Sequence, residues 1–360
     1  MGDGDRGGRR GSRDPSSDRR PPRLDAATVR RTLRDAGLRP HHGRSQNFLV
    51  DVDVLEGILA EADPEPGRRV LEIGPGLGIL TDALLDAGAA VTAVELDRGL
   101  AAFLRERLAP ALELAKADGH EAPGALRLVE GNALDEDLTR LVAPPYDVVA
   151  NLPYHITSPI LHALLGPTPR PERLVLMVQR EVAERIAAPP GQMSYLSAFV
   201  QYHARARIAF NVPAGAFEPE PAVESAVIVL EPYPEDDRLP DAASEDELWR
   251  LVQAAFRERR KMLHNVLVRQ LPVSAERVND ALAATGIAPE RRPQTLAVGE
   301  WLALREALGP IGPDERGRRR APSHGGGADS SADADAGAGA DVDQDAALAD
   351  GSADADETRP

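Results

Sequence analysis

The stretch VLEIGPGLGILT, residues 70–81, joins a short apolar run to three alternating glycines and then to a second apolar run. The first run predicts a buried strand and the second predicts the start of a helix. Glycine adopts left-handed backbone conformations and lets a ligand approach the main chain closely, so a turn with Gly74, Gly76 and Gly78 is typical of a nucleotide-binding loop. Because the spacing is G-x-G-x-G and not G-x-G-x-x-G, the loop alone does not identify the ligand.

A carboxylate follows at the end of the next predicted strand, AAVTAVELD, residues 89–97. Glu95 lies nineteen residues after Gly76, where a carboxylate can accept hydrogen bonds from both hydroxyls of a ribose. NAD and S-adenosylmethionine both carry such a ribose. NAD also needs its pyrophosphate at the helix N-terminus, whereas S-adenosylmethionine has no phosphate, and Glu72 would suit its methionine end. The glycine loop and the two carboxylates are therefore compatible with either NAD or S-adenosylmethionine.

Strands and helices alternate through the first half of the chain, which predicts an α/β fold with a doubly wound parallel sheet. Ligands in such sheets bind at the carboxyl ends of the strands. From about residue 241 the apolar spacing becomes helical throughout and predicts a small all-α domain. The predicted strands cover residues 68–74, 89–97, 125–134 and 146–154, with a closing antiparallel pair at 206–213 and 224–234, and one helix is predicted over 98–117.

Composition limits the class of protein. The 360 residues include no cysteine, which excludes disulfides and thiolate metal sites, and we predict no metal site. No apolar run approaches the roughly 18 residues of a membrane helix, and the N-terminus lacks the apolar centre of a signal peptide. We therefore expect a cytoplasmic protein without a membrane partner, and a monomer.

Charge is distributed unevenly along the chain. Residues 1–22 are rich in Gly, Arg, Ser and Pro and predict a disordered basic arm, whereas residues 313–360 predict a disordered acidic tail. The net charge is −16, and only two lysines occur. An acidic, lysine-poor surface is typical of proteins that work in high salt, although a GC-rich genome also favours arginine over lysine. We expect unfolding when molar salt is removed.

Two further segments extend the predicted cofactor site. Asn132 follows the third strand in GNAL and could hold the amino group of the cofactor's adenine, although an asparagine is also common in structural turns. Upstream, QNFLVD (residues 46–51) precedes a helix, so Phe48 and Leu49 could close over the cofactor while Asn47 contacts its amino-acid end. A hydrophobic staple leading into the helix is the alternative.

Seven segments in this order resemble one family, the small-subunit rRNA adenine N6,N6-dimethyltransferases. They extend over about residues 40–305 and are highly specific as a set, although each one is short. The segments are QNFLVD, LEIGPGLGILT, VELD, GNAL, NLPYHITSPI, FEPEPAVESAVIVL and FRERRKMLHN.

The resemblance implies a Rossmann-like class I S-adenosylmethionine-dependent methyltransferase domain, at about residues 23–240, with a small all-α C-terminal domain at 241–312. It implies S-adenosylmethionine as cofactor, and 16S rRNA of the immature small ribosomal subunit as partner. The implied reaction is dimethylation of N6 on two adjacent adenosines in the loop of a hairpin near the 3′ end, with a role in small-subunit biogenesis. Together with the acidic composition, it predicts a halophilic archaeal member.

The resemblance predicts that NLPYHITSPI, residues 151–160, holds the adenine that is methylated. An exocyclic adenine amine is a poor nucleophile, and hydrogen-bond acceptors for its N–H groups favour a pyramidal nitrogen. The Asn151 side-chain oxygen, which we also count as a cofactor contact, and the Leu152 carbonyl are suitable acceptors. Pro153 fixes the turn, and Tyr154 offers a flat face for an unstacked base. Phe217 of FEPEP could cover the other face. No strong general base is required.

The cluster RERRK, with Arg257, Arg259, Arg260 and Lys261, predicts contacts to rRNA phosphates from the second domain; an arginine-rich solvated helix face is the alternative.

The family usually has Asp at the position of Asn132, so a weaker hydrogen bond is expected, and His155 replaces a usual Asn. Methylation of large-subunit rRNA, methylation of DNA adenine and a non-catalytic assembly role remain as alternatives. An NAD oxidoreductase is disfavoured because no acid or base for hydride transfer is evident.

Overall fold

The computed structural model describes residues 25–39, 46–234 and 242–312. The predicted basic arm and acidic tail lie outside the described residues. In chain order the elements are α1 (Ala26–Asp35), β1 (Phe48–Leu49), α2 (Val52–Ala62), β2 (Arg69–Ile73), α3 (Ile79–Asp86), β3 (Ala90–Glu95), α4 (Arg98–Arg107), α5 (Ala109–Asp118), β4 (Leu126–Glu130), α6 (Leu138–Leu141), β5 (Asp147–Asn151), α7 (Thr157–Leu165), β6 (Arg173–Gln179), α8 (Arg180–Ile186), α9 (Tyr195–His203), β7 (Ala204–Val212), β8 (Phe217–Glu218), β9 (Ser225–Pro232), α10 (Ala242–Phe256), α11 (Leu263–Gln270), α12 (Ala275–Thr285) and α13 (Val298–Leu308).

The main sheet has seven strands in the order β4-β3-β2-β5-β6-β9-β7. The first five are parallel, and β9 pairs antiparallel with both β6 and β7. All six residues of β3 are buried, as expected for a parallel strand covered by helices on both faces. The chain passes from β2 outward to β4 and then returns to β5 on the other side of β2. The switch in strand order therefore lies between β2 and β5, and the predicted Rossmann-like fold is confirmed.

Three local features differ from the sequence prediction. The helix predicted over 98–117 is two helices, because Pro110 stands in the first turn of α5 and cannot continue α4. Helix α9 was not predicted. A small antiparallel sheet, with Phe48 opposite Glu218 and Leu49 opposite Phe217, joins two segments that are far apart in the sequence.

Helices α10–α13 pack around their own apolar cluster, which includes the buried Trp301. That cluster also contains Met193, Ala198 and Tyr202, which belong to α9 and to the segment before it. The helical part therefore shares its core with the α/β part. In the described part of the chain no helix is long and apolar enough to cross a membrane.

Candidate active site

A cavity of about 330 Å³ lies at the carboxyl ends of the central strands, next to the switch in strand order. Its volume falls in the usual range of small-molecule sites. Ten of the residues that we predicted for the cofactor and for catalysis line it: Asn47, Leu49, Gly74, Gly76, Glu95, Asn132, Asn151, Leu152, Pro153 and Tyr154.

The glycine loop between β2 and α3 forms one wall of the cavity. Gly74, Gly76 and Gly78 have φ values of +70°, +59° and +75°, which residues with a Cβ rarely adopt. A Cβ on Gly76 would stand 3.2 Å from the Phe48 ring. The three glycines therefore permit both the conformation of the loop and its close contact with β1.

Glu95 is buried at the end of β3, and both of its carboxylate oxygens are oriented by the main chain. Oε2 accepts a hydrogen bond from the N–H of Gly76 at 3.0 Å, and Oε1 accepts one from Asp97 at 2.8 Å. Each oxygen keeps a second lone pair, as hydrogen bonds from two ribose hydroxyls require. Desolvation raises the pKa of Glu95, and these two hydrogen bonds oppose the rise.

Glu72 is a second buried carboxyl on the same cavity wall, at the end of β2. It accepts a hydrogen bond from the Thr81 hydroxyl at 2.6 Å. Desolvation raises the pKa of Glu72 to about 8, and the negative charges of Glu95 and Asp82 add to the rise. A cationic ligand group in this cavity would favour the ionised form of Glu72.

The far end of the cavity has an apolar rim. Leu96 and Leu134 line it, although they are 49% and 38% exposed, which is unusual for leucine. Asn132 lies beside them with its side chain in a local turn, where its oxygen accepts a hydrogen bond from Leu134 N–H at 3.1 Å. The sequence reasoning missed both leucines. The sequence signal that could have identified them is position: Leu96 directly follows Glu95, and Leu134 lies two residues after Asn132.

The segment before α2 closes the cavity from above the loop. Phe48 and Leu49 are buried, and Asp51 begins α2 as its N-cap by accepting from Asp53 N–H at 2.9 Å. The carbonyl of Asn47 accepts a hydrogen bond from Asn151 Nδ2 at 3.3 Å. The entry segment thus contacts the end of β5 directly.

Asn151 and Leu152 lie where β5 ends, beside the glycine loop. Asn151 Nδ2 donates to the Asn47 carbonyl, which orients the side chain and leaves Oδ1 as an acceptor without a hydrogen-bond partner among the described residues. Leu152 N–H donates to Met177 O at 3.0 Å, which continues the pairing of β5 with β6. Within the described residues the Leu152 carbonyl accepts no hydrogen bond from the protein. Two acceptors therefore stand next to each other in the cavity wall.

Tyr154 begins a single 3-10 turn that leads into α7. Its hydroxyl forms a 2.8 Å hydrogen bond with the fully buried Ser225. This bond fixes the far edge of the ring, whose remaining surface lines the cavity. His155 is exposed in the same turn and also lines the cavity.

Phe217 is the one predicted catalytic residue that does not line the cavity. Its side chain is 3% exposed and packs into the core beneath β1, because β8 turns it inward opposite Leu49. The structure therefore does not support Phe217 as a second stacking face.

The RERRK cluster lies in a turn, and its contacts to rRNA phosphates stay a prediction. Arg257, Arg259, Arg260 and Lys261 are all exposed, but they form the turn between α10 and α11 and are not on a helix. Glu258, within the same turn, pairs with Arg269 of α11 at 2.5 Å.

S-Adenosylmethionine fits this cavity better than NAD does. Two buried carboxyls, Glu72 and Glu95, line the cavity next to the start of α3, and among the described residues that line it there is no arginine or lysine to offset the two phosphates of NAD. The same carboxyls suit a cationic sulfonium and an ammonium group, and Leu96 and Leu134 suit a flat adenine. Fold and site together define a Rossmann-like methyltransferase that uses S-adenosylmethionine.

Comparison with known proteins narrows the class. The family model of ribosomal RNA adenine dimethylases matches residues 39–308. A ribosomal RNA small subunit methyltransferase A of Synechococcus sp. (strain CC9605) is 43% identical over 286 residues, which cover 76% of this chain and 98% of that protein. The protein of the same name from Moorella thermoacetica is 41% identical over 297 residues, which cover 78% of this chain and 98% of that protein. This chain belongs to the ribosomal RNA adenine dimethylase family, and it is an S-adenosylmethionine-dependent enzyme.

Two solved structures are also similar. A dimethyladenosine transferase from Plasmodium falciparum has a TM-score of 0.58 and 27% identity, over 71% of this chain and 95% of that one. The 23S rRNA methyltransferase ErmE has a TM-score of 0.56 and 28% identity, over 73% of this chain and 99% of that one. The fold is thus shared by a protein named as a dimethyladenosine transferase and by one named for 23S rRNA.

Proposed function

We propose that the chain dimethylates N6 of two adjacent adenosines in the loop of a hairpin near the 3′ end of 16S rRNA, within an immature small ribosomal subunit. The observation that carries the proposal is the pair of acceptors on Asn151 and Leu152, which stand beside the cofactor loop with a tethered aromatic ring. The names of the relatives at 43% and 41% identity support the small subunit.

The protein's main task in the reaction is to position a neutral amine. The Asn151 Oδ1 and the Leu152 carbonyl accept hydrogen bonds from the two N–H groups of adenine N6, so that the nitrogen lone pair turns out of the ring plane. The Tyr154 ring holds the unstacked base by stacking, which is worth about 1–3 kcal/mol per base. The tether from Tyr154 to Ser225 keeps the ring in place.

Bound S-adenosylmethionine supplies a methyl group on a positively charged sulfur, which leaves as a neutral thioether once the methyl bond to nitrogen forms. The alkylated amine then loses a proton to solvent, so the absence of a carboxylate from residues 151–160 is consistent with the chemistry. In-line positioning supplies most of the rate.

A second methylation requires that one acceptor be expendable. The monomethylated amine keeps a single N–H, so it needs only one of the two acceptors. The Asn151 side chain can rotate once its 3.3 Å hydrogen bond to the Asn47 carbonyl breaks. The Leu152 carbonyl belongs to main chain that is fixed by the bond from Leu152 N–H to Met177 O. In this proposal Asn151 gives way to the first methyl group and Leu152 keeps its hydrogen bond.

RNA binding is the task of the exposed turn at residues 257–261, whose arginines and lysine contact phosphates and set the orientation of the rRNA without reading its sequence. We expect the chain to act as a monomer. A role as an assembly checkpoint is compatible with catalysis.

Methylation of large-subunit rRNA is the second candidate, because the enzyme ErmE named for 23S rRNA shares the fold. Its 28% identity is well below the 43% identity of the small-subunit relative, which favours the small subunit. Primer extension separates the two candidates: a strain that lacks this gene loses the stop at two adjacent adenosines near the 3′ end of small-subunit rRNA. Loss of a stop only in large-subunit rRNA would overturn the proposal.

The role of Asn151 is tested by Asn151→Ala. We expect methyl transfer to fall at least about 100-fold, as when one oriented polar group is removed from a catalytic site. S-Adenosylmethionine affinity should stay within a few-fold, because Glu95 and the glycine loop are unchanged. Asn211→Ala, at an exposed position on β7, is the matched control and should keep full activity. Undiminished transfer by Asn151→Ala would contradict the mechanism.

A further inference from the structure

In the described part of the chain most basic side chains are already occupied. Among the described residues, the arginines and lysines mostly pair with a carboxylate or donate a hydrogen bond, as Arg68 does to Asp147 and Arg107 does to Asp82. Side chains that do neither are therefore the ones available to a ligand. Within the described ranges these are Arg31, Arg34, Arg39, Arg205, Arg259, Arg260, Lys261 and Arg292.

These available side chains gather in two places. Three of them form the exposed turn between α10 and α11, which the sequence had singled out. Three others, Arg31, Arg34 and Arg39, are exposed on α1 and just after it. Arg205 lies apart on β7, whereas Arg292 follows Arg291, whose carbonyl accepts a hydrogen bond from Leu263 N–H just after the exposed turn. We call Arg30, Arg31, Arg34 and Arg39 the α1 arginine patch.

The apolar face of α1 is fixed to the wall of the active-site cavity. Val29 and Leu33 pack in one cluster with Phe48 and Leu77, and both of these line the cavity. The basic side chains therefore project from the other side of the helix whose buried face supports the cofactor loop.

A second contact ties the α1 arginine patch to the segment that contains Phe217. Arg30 pairs with Glu218 at 2.6 Å, and Glu218 lies opposite Phe48 in the small sheet. A hollow runs between α1 and this segment and is lined by Arg30, Arg34, Arg39, Glu218 and Pro219. Its cations outnumber its single carboxylate, so it suits a phosphate.

We propose that the α1 arginine patch binds the phosphate backbone of the rRNA next to the nucleotide whose base enters the cavity. The inference rests on the proposed function and adds to it a second phosphate-binding surface beside the site. The turn at 257–261 and the α1 arginine patch then hold two parts of the RNA, which fixes its register over the cavity.

The test uses the full chain with Arg34→Gln and Arg39→Gln combined, because neither side chain has a partner among the described residues and the fold does not depend on them. The matched control combines Arg205→Gln with Lys116→Gln, which removes the same charge from exposed positions outside both basic surfaces. Small subunits from a strain without the modification are the substrate, and binding to the isolated 3′ hairpin RNA is measured in parallel by fluorescence anisotropy.

For the variant of the α1 arginine patch we expect the KM for subunits to rise about tenfold and the hairpin to bind about tenfold more weakly. The kcat at saturation and the affinity for S-adenosylmethionine should be unchanged. The slope of log affinity against log salt should fall by about 1 to 2, since two phosphate contacts are lost. The control should match the wild type in all of these.

Two outcomes would contradict the inference, and a third would contradict the proposed function on which it rests. Equal KM values for the variant of the α1 arginine patch and its control would overturn the inference while leaving the proposed function intact. A loss confined to whole subunits, with hairpin binding unchanged, would overturn it in favour of a ribosomal protein as the partner. Failure of the wild type to methylate small-subunit rRNA would overturn the proposed function itself.

Discussion

Tyr154 illustrates how a single buried contact can determine the geometry of a site. Its hydroxyl is held by Ser225 at 2.8 Å, and burial raises the pKa of Tyr154, so the phenol stays neutral and can donate or accept. Ser225 begins β9, which pairs with β6 in the main sheet. The ring that we assign to stacking is therefore anchored to the sheet and not only to its own turn.

We predict that Tyr154→Phe and Ser225→Ala each raise the KM for rRNA by a few-fold, and that the double variant is no worse than either single variant. Both changes remove the same hydrogen bond, which contributes about 1 kcal/mol. Tyr154→Ala should lose about 1–3 kcal/mol of binding, because the stacking face disappears as well. Initial-rate kinetics with subunits provide the measurement, and additive losses in the double variant would show that Ser225 does not act through Tyr154.

Glu72 provides a second prediction, on the pH dependence of cofactor binding. Burial raises its pKa to about 8, so below that pH the free protein carries a neutral carboxyl. A cationic cofactor favours the carboxylate, so binding releases a proton and affinity rises with pH up to about 8, by at most about tenfold per unit. Glu72→Gln should bind S-adenosylmethionine more weakly and lose this component of the pH dependence. Calorimetric titrations of both proteins from pH 6 to pH 9 test it, and parallel pH profiles would contradict it.

At the scale of an element, the turn from β2 to α3 depends on its third glycine as much as on the two that line the cavity. Gly78 has a φ of +75°, and a Cβ there would stand 2.6 Å from Leu104 Cδ2. The Arg107 guanidinium also donates to the Leu77 carbonyl at 2.7 Å. Helix α4 therefore supports the loop from behind.

We predict that Gly78→Ala lowers the free energy of unfolding by about 1–3 kcal/mol, since it combines a disfavoured backbone conformation with a close contact. Gly299→Ala is the matched control. It lies in helix α13 with nothing within 4 Å of the new methyl group, so it should stabilise the protein by about 0.5–1 kcal/mol. Denaturant unfolding of both variants measures the difference, and equal effects would mean that the loop tolerates a side chain.

The elements with strong local patterns were predictable. The strands formed by continuous apolar runs lie where the sequence predicted them. The loops after β2, β3 and β5 do so as well. The small sheet that joins residues 48–49 to 217–218 was not predictable, because two-residue strands carry no periodicity and their partners are far apart in the chain. The buried position of Phe217 has the same origin, since that pairing turns its side chain into the core.

The site residues also divide into those that the sequence predicted and those that it did not. Polar residues at strand ends, such as Glu95 and Asn151, were predictable because the ends of neighbouring parallel strands meet at one edge of the sheet. Leu96 and Leu134 were missed, since a leucine in a sequence predicts burial and only the structure reveals that these two stay exposed at the cavity rim.

At the scale of the whole molecule, the helical part and the α/β part are joined by an aromatic cluster. Trp249 of α10 lies 5.1 Å from Phe199 and 5.2 Å from Tyr202, both on α9, measured between ring centroids. His203 is fully buried within the same cluster. We therefore expect the two parts to unfold together. The stability of the protein in molar salt remains a prediction from composition.

The buried imidazole of His203 makes this junction sensitive to acid. Desolvation lowers the pKa of His203 to about 3, and the neighbouring His162 adds to the effect. The nearest acidic group is Glu245, at 3.6 Å from Nε2. The folded protein keeps His203 neutral, whereas the unfolded chain binds a proton near pH 6.5. The free energy of unfolding is therefore not lowered by His203 above pH 6.5, and it falls as the pH decreases from 6.5 towards 3.

We predict that the wild type loses about 2 kcal/mol of unfolding free energy through His203 alone between pH 7 and pH 5. His203→Gln removes the titrating group, so its stability should fall by about 2 kcal/mol less over that interval, whatever its stability at pH 7. His120→Gln, at an exposed position, is the matched control and should follow the wild type. Denaturant unfolding at both pH values measures the difference, and the same acid sensitivity in all three proteins would mean that the junction between the two parts does not exclude the proton.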